Sequence, residues 1–276
     1  MLFRLAEYPM RLRTTPNPVS KRMMPAKDKP KLFSYLLPDE VLLLVSAPSI
    51  PMGRRVAYAL AVYTGLRKGS LLSLRWEHVD LANGLLTVLH TKTGHPQCFE
   101  IRADLVGVLR RWRASRSAVA SDAVIADCEI DAGREAQVMR DDLRAVGVTR
   151  EVLFSDDPKV EPIRFHDCRS TFVTWAKRDE RGDGWISDRT GHLTGEMIDR
   201  YTRAARTLAD LRIKPFPDLL PAFADLPDPP ADGRRMDAAS GATKTESPES
   251  LARSAVTQGF LVDLVGIEPT TSRVRF

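Results

Sequence analysis

Six side chains, spread over the middle of the chain, are of the types that move a phosphoryl group. In chain order they are Arg67, Lys92, His166, Arg169, His192 and Tyr201. His166 precedes Arg169 by three residues, so both fall on one face of a helix. Cationic and neutral donors can hold phosphate oxygens, and a phenol can attack phosphorus. The set therefore predicts phosphodiester chemistry with Tyr201 as the nucleophile.

The order and spacing of these six positions resemble the tyrosine recombinases, the phage-integrase family of DNA strand-exchange enzymes. The resemblance runs from about Leu32 to about Leu211 and includes two local motifs, Thr64–Arg67 and Thr91–Gly94. It implies a site-specific recombinase or integrase that cleaves and rejoins DNA through a 3′-phosphotyrosyl intermediate. It also implies the catalytic-domain fold of that family.

The resemblance assigns a role to each position. Arg67 and Arg169 neutralise the nonbridging phosphate oxygens, and guanidinium forks suit that task. Lys92 protonates the departing 5′ oxygen, His166 handles the tyrosine proton, and His192 hydrogen-bonds the scissile phosphate. Because the phosphotyrosyl bond stores the energy of the phosphodiester, the family implies no metal and no cofactor.

Each residue taken alone has a more ordinary explanation. A lone arginine is usually a surface or ion-pair residue, and a lone tyrosine is usually a packed aromatic. Two positions also depart from the family pattern. Ser70 stands where an acid is usual after Arg67, and Ser170 follows Arg169 where a histidine is common.

Apolar periodicity together with Pro and Gly positions predicts a mainly α domain with a small antiparallel β-sheet, an α+β class. The predicted helices span about 38–47, 54–63, 69–74, 104–112, 134–146, 166–178 and 181–188, with a last one from Thr194 through Tyr201 towards Leu211. Asn83-Gly84 predicts a hairpin between strands near 79–81 and 85–89. A second hairpin, turning at 93–96, places Lys92 at its tip.

Composition divides the chain into three parts. Residues 1–31 are basic and Pro-containing, which is typical of a flexible arm; residues 1–34 carry eight Lys/Arg against two Asp/Glu. Residues 32–214 form the predicted catalytic domain. Residues 215–276 are Pro-rich and then small and polar, which predicts a disordered tail. The formal net charge of +5 favours a polyanionic partner.

Cys98, Cys128 and Cys168 have neither disulfide-framework nor zinc spacing, and no apolar run reaches membrane-spanning length. The sequence thus predicts a cytoplasmic, nucleoid-associated protein without a membrane partner. The resemblance adds double-stranded DNA as partner, a homotetramer in the synaptic complex and an origin in a mobile genetic element.

Three alternatives stay open. Family members place a helical core-binding domain of about a hundred residues before the catalytic one, whereas only about thirty residues precede it here. The chain could therefore be a truncated, recombination-inactive integrase remnant that at most binds DNA. An accessory DNA-binding protein is the second alternative. A type IB topoisomerase is the third, although the two histidines and the spacing favour a recombinase.

Overall fold

The computed structural model describes residues 32–89, 96–126, 128, 133–191 and 195–229. Within these ranges the chain forms nine α-helices and one three-stranded antiparallel sheet. The helices are α1 (Pro38–Ser46), α2 (Met52–Thr64), α3 (Lys68–Leu72), α4 (Ala103–Ser115), α5 (Glu135–Ala145), α6 (Asp167–Arg178), α7 (Asp183–Thr190), α8 (Gly195–Asp199) and α9 (Thr202–Asp210). The strands are β1 (Val79–Asp80), β2 (Leu85–Val88) and β3 (Gln97–Glu100). The predicted fold class is confirmed.

Helix α1 begins at Pro38, where the fixed φ of proline suits the first helical position. Leu37, the residue before it, has no side chain that could cap the helix. Glu40 replaces the missing cap, since its carboxylate accepts a hydrogen bond from the Leu37 N–H at 2.7 Å. The same carboxylate forms an ion pair with Arg150 at 2.6 Å, which ties the start of α1 to the loop after α5.

Helix α2 lies in the centre of the domain, and every residue from Gly53 to Thr64 is buried. It packs against α1, α4 and α6. It ends at Gly65, which has a left-handed backbone with φ of 67°. A Cβ there would lie 2.4 Å from the Phe172 ring, so both the backbone angle and the close packing require glycine.

The sheet has the order β1-β2-β3, with Val79 opposite Leu86 and Leu86 opposite Phe99. The Asp80 carboxylate closes the first turn by accepting hydrogen bonds from the N–H groups of Ala82 and Asn83. This confirms the predicted first hairpin. The turn between β2 and β3, with Lys92, lies outside the described residues.

Helix α6 separates two apolar clusters. Cys168 and Trp175 belong to the main core, which α1, α2 and α4 also build. Phe172, Val173 and Ala176 belong to a smaller cluster. The smaller cluster also contains Ile186 and Tyr201, so the predicted nucleophile is anchored to α6 and α7.

The Pro-rich segment after Lys214 packs onto the domain through residue 226, beyond the predicted boundary. Leu219 and Phe223 are completely buried, and a short 3₁₀ helix spans Leu220–Phe223. Prolines prevent a long helix here but do not prevent burial of the apolar side chains between them. Residues 230–276, the remainder of the predicted tail, lie outside the described residues.

Helices α2 and α4 are the longest in the described part of the chain, with thirteen residues each. None of the described helices is long and apolar enough to cross a bilayer.

Candidate active site

Arg169, on α6, is held by the ends of two other helices. Its guanidinium donates a hydrogen bond to the Gly65 carbonyl at 2.8 Å and a second, very short one to the Thr190 carbonyl. Gly65 ends α2 and Thr190 is the last residue of α7. The final carbonyls of a helix carry its partial negative charge, so both contacts favour a cation.

No carboxylate lies within ion-pair distance of Arg169 among the residues the structure describes. Only 4% of this arginine is exposed. Burial, and then the positive charge of Arg67, lower the pKa of Arg169 to about 9, whereas Tyr201 acts in the opposite direction. The guanidinium is still protonated at neutral pH. It is therefore a buried cation that has no acidic partner in the described part of the chain, and an entering anion would relieve this imbalance.

Arg67 follows the α2 stop and is the residue before α3. Its guanidinium reaches the Gly191 carbonyl at 3.5 Å, a long and weak hydrogen bond. Gly191 has a left-handed backbone with φ of 60°, and a Cβ there would lie 3.5 Å from the Arg67 guanidinium. Arg67 and Arg169 thus meet at the same pair of helix ends.

His166 precedes the first residue of α6 and is exposed at the rim of the site. Partial burial of the ring lowers its pKa below the ordinary value; Asp167 opposes this, and the cations Arg169, Arg164 and Arg67 add to it. A histidine with a lowered pKa is neutral at pH 7 and can accept a proton. The environment is therefore compatible with the role in proton transfer that the family resemblance implies for His166.

Asp167 supports this histidine, and no feature of the sequence pointed to it. Its buried carboxylate accepts a hydrogen bond from the Arg164 N–H at 2.8 Å and contacts the Arg164 guanidinium at 3.4 Å. Burial raises the pKa of Asp167, and Arg164 opposes that shift. The contact fixes the turn that carries His166 into α6.

Tyr201 lies between two helices, not inside one. The single helix predicted from Thr194 to Leu211 is wrong, because α8 ends at Asp199 and α9 begins at Thr202. The Tyr201 N–H still donates to Ile198 and the Ala205 N–H donates to Tyr201, so the break is a turn and not a gap. The direction of a side chain at such a turn is not fixed by the axis of either helix.

The structure brings together four of the six predicted residues. Arg67, Arg169 and His166 influence one another electrostatically, and Tyr201 influences Arg169. Lys92 and His192 lie outside the described residues. The sequence missed the two carbonyls that hold Arg169, because a backbone contact leaves no side-chain signal beyond a glycine at each helix end.

A cleft of about 1820 Å³ opens beside this cluster, with Tyr201 and His166 on its wall. Two acidic residues, Glu161 and Asp167, line the cleft, and the cationic residues outnumber them. The cationic residues are Arg150, Lys159, Arg164, Arg200 and Arg203. Arg150 forms an ion pair with Glu40, and Arg164 forms one with Asp167. A cleft of this charge suits an anionic polymer larger than a metabolite.

Comparison with known proteins supports the sequence-based resemblance. The profile of the phage integrase family matches residues 34–207. The tyrosine recombinase XerC of Xanthomonas axonopodis pv. citri (strain 306) is 33% identical over 181 residues, which are 62% of this chain and 54% of that protein. The chain thus spans about half the length of this curated relative.

Solved structures share the fold. The crystal structure of XerA recombinase superimposes with a TM-score of 0.52 at 22% identity, covering 72% of this chain and 70% of that one. A lambda integrase tetramer bound to a Holliday junction gives a TM-score of 0.50 at 22% identity, covering 65% and 51% of the two chains. At these identities the likeness establishes the fold alone.

Proposed function

This chain belongs to the phage integrase family of tyrosine recombinases, and we propose that it is a site-specific DNA recombinase that works through a 3′-phosphotyrosyl intermediate. One observation carries the proposal. Two guanidiniums, Arg67 and Arg169, meet beside Tyr201, and the buried one has no carboxylate partner among the described residues. A phosphodiester supplies the missing negative charge.

The reaction uses only groups of the chain and the DNA. The Tyr201 hydroxyl oxygen bonds to phosphorus while the bond from phosphorus to the 5′ oxygen breaks. His166 takes the phenolic proton, and Arg67 and Arg169 hold the nonbridging oxygens as charge develops on them. By resemblance, Lys92 gives a proton to the departing 5′ oxygen and His192 hydrogen-bonds the phosphate. Attack by another 5′ hydroxyl reverses these steps and rejoins a strand.

Duplex DNA is the proposed partner. The basic residues of 1–34 and the cations of the cleft contribute affinity through phosphate contacts, which position a protein without reading sequence. Exchange between two duplexes needs four protomers, so we propose a homotetramer in the synaptic complex. We place the protein in the cytoplasm on the nucleoid, and its gene in a mobile genetic element.

The test is a covalent trap. A library of nicked duplexes, randomised in sequence upstream of the nick, is incubated with high protein at low salt, without Mg²⁺ or ATP. Cleavage next to the nick lets the short fragment diffuse away, so the protein stays on the 3′ end. The expected product survives boiling in detergent and disappears on protease digestion.

Tyr201→Phe is the matched control, because it removes only the hydroxyl. It should fold and bind DNA as the wild type does, and form no adduct. An equal yield of adduct from Tyr201→Phe would overturn the assignment of the nucleophile. No adduct from the wild type at saturating protein would favour the alternative, a DNA-binding remnant.

A further inference from the structure

The segment that leads into α1, residues 32–37, is fixed along its length although it forms no regular element. Leu32 pairs with the loop before α6, donating to the Lys159 carbonyl at 2.8 Å and accepting from the Glu161 N–H at 3.0 Å. The backbone of Leu36 forms two hydrogen bonds with side chains of α6. Its N–H donates to the Thr171 hydroxyl at 2.9 Å, and its carbonyl accepts from the Trp175 indole at 3.0 Å.

Between these two anchors, the Phe33 ring contacts Tyr201. The ring centroids are 4.8 Å apart and the planes meet at 70°, an edge-to-face arrangement. The Arg200 guanidinium lies over both rings, 5.3 Å from the centre of Phe33 and 5.4 Å from that of Tyr201. The phenol ring is thus contacted by an aromatic ring from the N-terminal segment and by a cation from its own turn.

This contact matters because Tyr201 lies in a turn, where packing of the side chain and not a helix sets the direction of the phenol. Helix α8 before it has five residues, and Tyr201 itself lies in the turn between α8 and α9. A side chain at such a position depends on tertiary packing for its rotamer. Cleavage requires the phenolic oxygen in line with the scissile bond, and a misplacement of about 1 Å can reduce a rate about 100-fold.

We propose that Phe33, with Arg200, is a positioning residue that holds Tyr201 in its attacking orientation. The proposal rests on the proposed function for its kinetic consequence, but the geometry it describes exists without DNA. It makes the chain just ahead of α1 part of the active site. A change in the backbone path of residues 32–35 would then alter the orientation of Tyr201 through the contact between its ring and Phe33.

The kinetic test compares variants in the nicked-duplex assay at saturating DNA. Phe33→Ala should slow adduct formation about 100-fold, while DNA affinity stays within about twofold because no phosphate contact is lost. Phe33→Trp restores an aromatic ring and should recover most of the rate. Phe154→Ala is the matched control: it removes a phenyl ring that is partly buried against the main core, with the Arg144 guanidinium 4.6 Å from its centre. It should keep at least about a third of the wild-type rate.

A second readout needs no DNA. In protein labelled with 3-fluorotyrosine, the Tyr201 fluorine signal is identified by its loss in Tyr201→Phe. Phe33→Ala should move and broaden this signal as the ring samples further rotamers, whereas Phe154→Ala should leave it in place.

The two readouts separate the possible failures. If the wild type forms no adduct, the proposed function fails, and the fluorine signal still decides whether Phe33 holds the ring. If Phe33→Ala leaves both the rate and the signal unchanged, or if Phe154→Ala alters them equally, the positioning role of Phe33 is refuted.

Discussion

Arg55 and Arg169 are both almost completely buried, with 1% and 4% of their surface exposed, yet their charges are balanced in different ways. Arg55 forms a fork-to-fork pair with the Asp225 carboxylate, at 2.5 and 3.0 Å. It also donates to the carbonyls of Val45 and Ala222. Among the residues that the structure describes, Arg169 donates hydrogen bonds to two helix-end carbonyls and to no carboxylate, and the positive charge of Arg67 acts against its own.

We interpret this difference as one between a structural arginine, Arg55, and the proposed phosphate-holding arginine, Arg169. Arg55 ties α2 to the segment after Lys214, and its charge is already neutralised within the chain. Arg169 is held in place by the dipoles of two helix-end carbonyls. These fix its orientation but neutralise only part of its positive charge. A buried charge without a counter-ion lowers stability, so its presence indicates a ligand that completes it.

The largest expected effect concerns the segment that Arg55 holds. A chain that ends after Lys214 loses Leu219 and Phe223, both fully buried, and Asp225. Removing two such side chains should reduce the free energy of unfolding by more than about 5 kcal/mol, close to the whole stability of a domain. Circular dichroism should show little cooperative thermal unfolding.

A chain that ends after Pro229 is the control for this truncation. It keeps Asp225 and Leu226, and should unfold within about 2 °C of the full-length protein. A cooperative transition near the full-length temperature for the shorter chain would contradict the view of residues 215–226 as part of the domain.

Arg169→Lys tests the functional half of the comparison. An ammonium keeps the positive charge but cannot reach two carbonyls and a phosphate together. Adduct formation at saturating DNA should fall about 100-fold to 1000-fold, as when one oxyanion donor is lost. The free energy of unfolding should fall by about 1–2 kcal/mol, because an ammonium replaces at most one of the two hydrogen bonds to the helix-end carbonyls.

Arg55→Lys is the same substitution at the arginine that is paired within the chain. A lysine there replaces at most half of the four hydrogen bonds, so urea unfolding should show a loss of about 2–3 kcal/mol. The adduct rate measured well below the unfolding transition should stay within about twofold of wild type. If Arg55→Lys stopped the reaction and Arg169→Lys unfolded the domain, the two assignments would have to be exchanged.

The sequence predicted most of the elements but could not predict this distinction. Pro38, Gly65 and Gly84 mark element ends that the structure contains, because backbone restrictions act locally. Arg55 gave no signal, since its partner Asp225 is 170 residues away and lies in a segment whose prolines suggested a tail. Arg169 was predicted from the order and spacing of the six family positions, whereas the lack of a carboxylate partner among the described residues is a property of tertiary packing.

The helix assignment around Tyr201 shows the same limit. Apolar spacing in 195–211 is compatible with one continuous helix, and nothing in the sequence marks a break at Arg200. The break follows from packing, since Ile198 and Tyr201 both turn into the small cluster beneath α6. Phe33 could not have been predicted as its neighbour, because it is 168 positions away from Tyr201 and belongs to no motif.

The smallest expected effect is a shift of the pKa of His166. This shift reports the positive charge of Arg67 and Arg169 at the site. Partial burial and the cations Arg169, Arg164 and Arg67 lower the pKa of this ring, so its midpoint in a sulfate-free, low-salt buffer should lie below 6.5. The imidazole proton signal, identified by its loss in His166→Gln, reports the midpoint by NMR. Because the folded protein binds this proton less readily than the unfolded chain, the contribution to stability is complete above pH 6.5 and decreases as the pH falls through the folded midpoint.

Inorganic sulfate turns this titration into a test of the comparison. A sulfate bound between Arg67 and Arg169 neutralises the charge that disfavours the imidazolium, so the His166 midpoint should rise towards 6.5 as sulfate is added. Arg169→Ala should raise the midpoint without sulfate and weaken the response to it. Arg55→Lys should leave the sulfate response unchanged, because Asp225 already balances that site. A midpoint that stays fixed from sulfate-free buffer to saturating sulfate would mean that the two guanidiniums do not form an anion site, and the assignment of Arg169 as the phosphate-holding cation would fail with it.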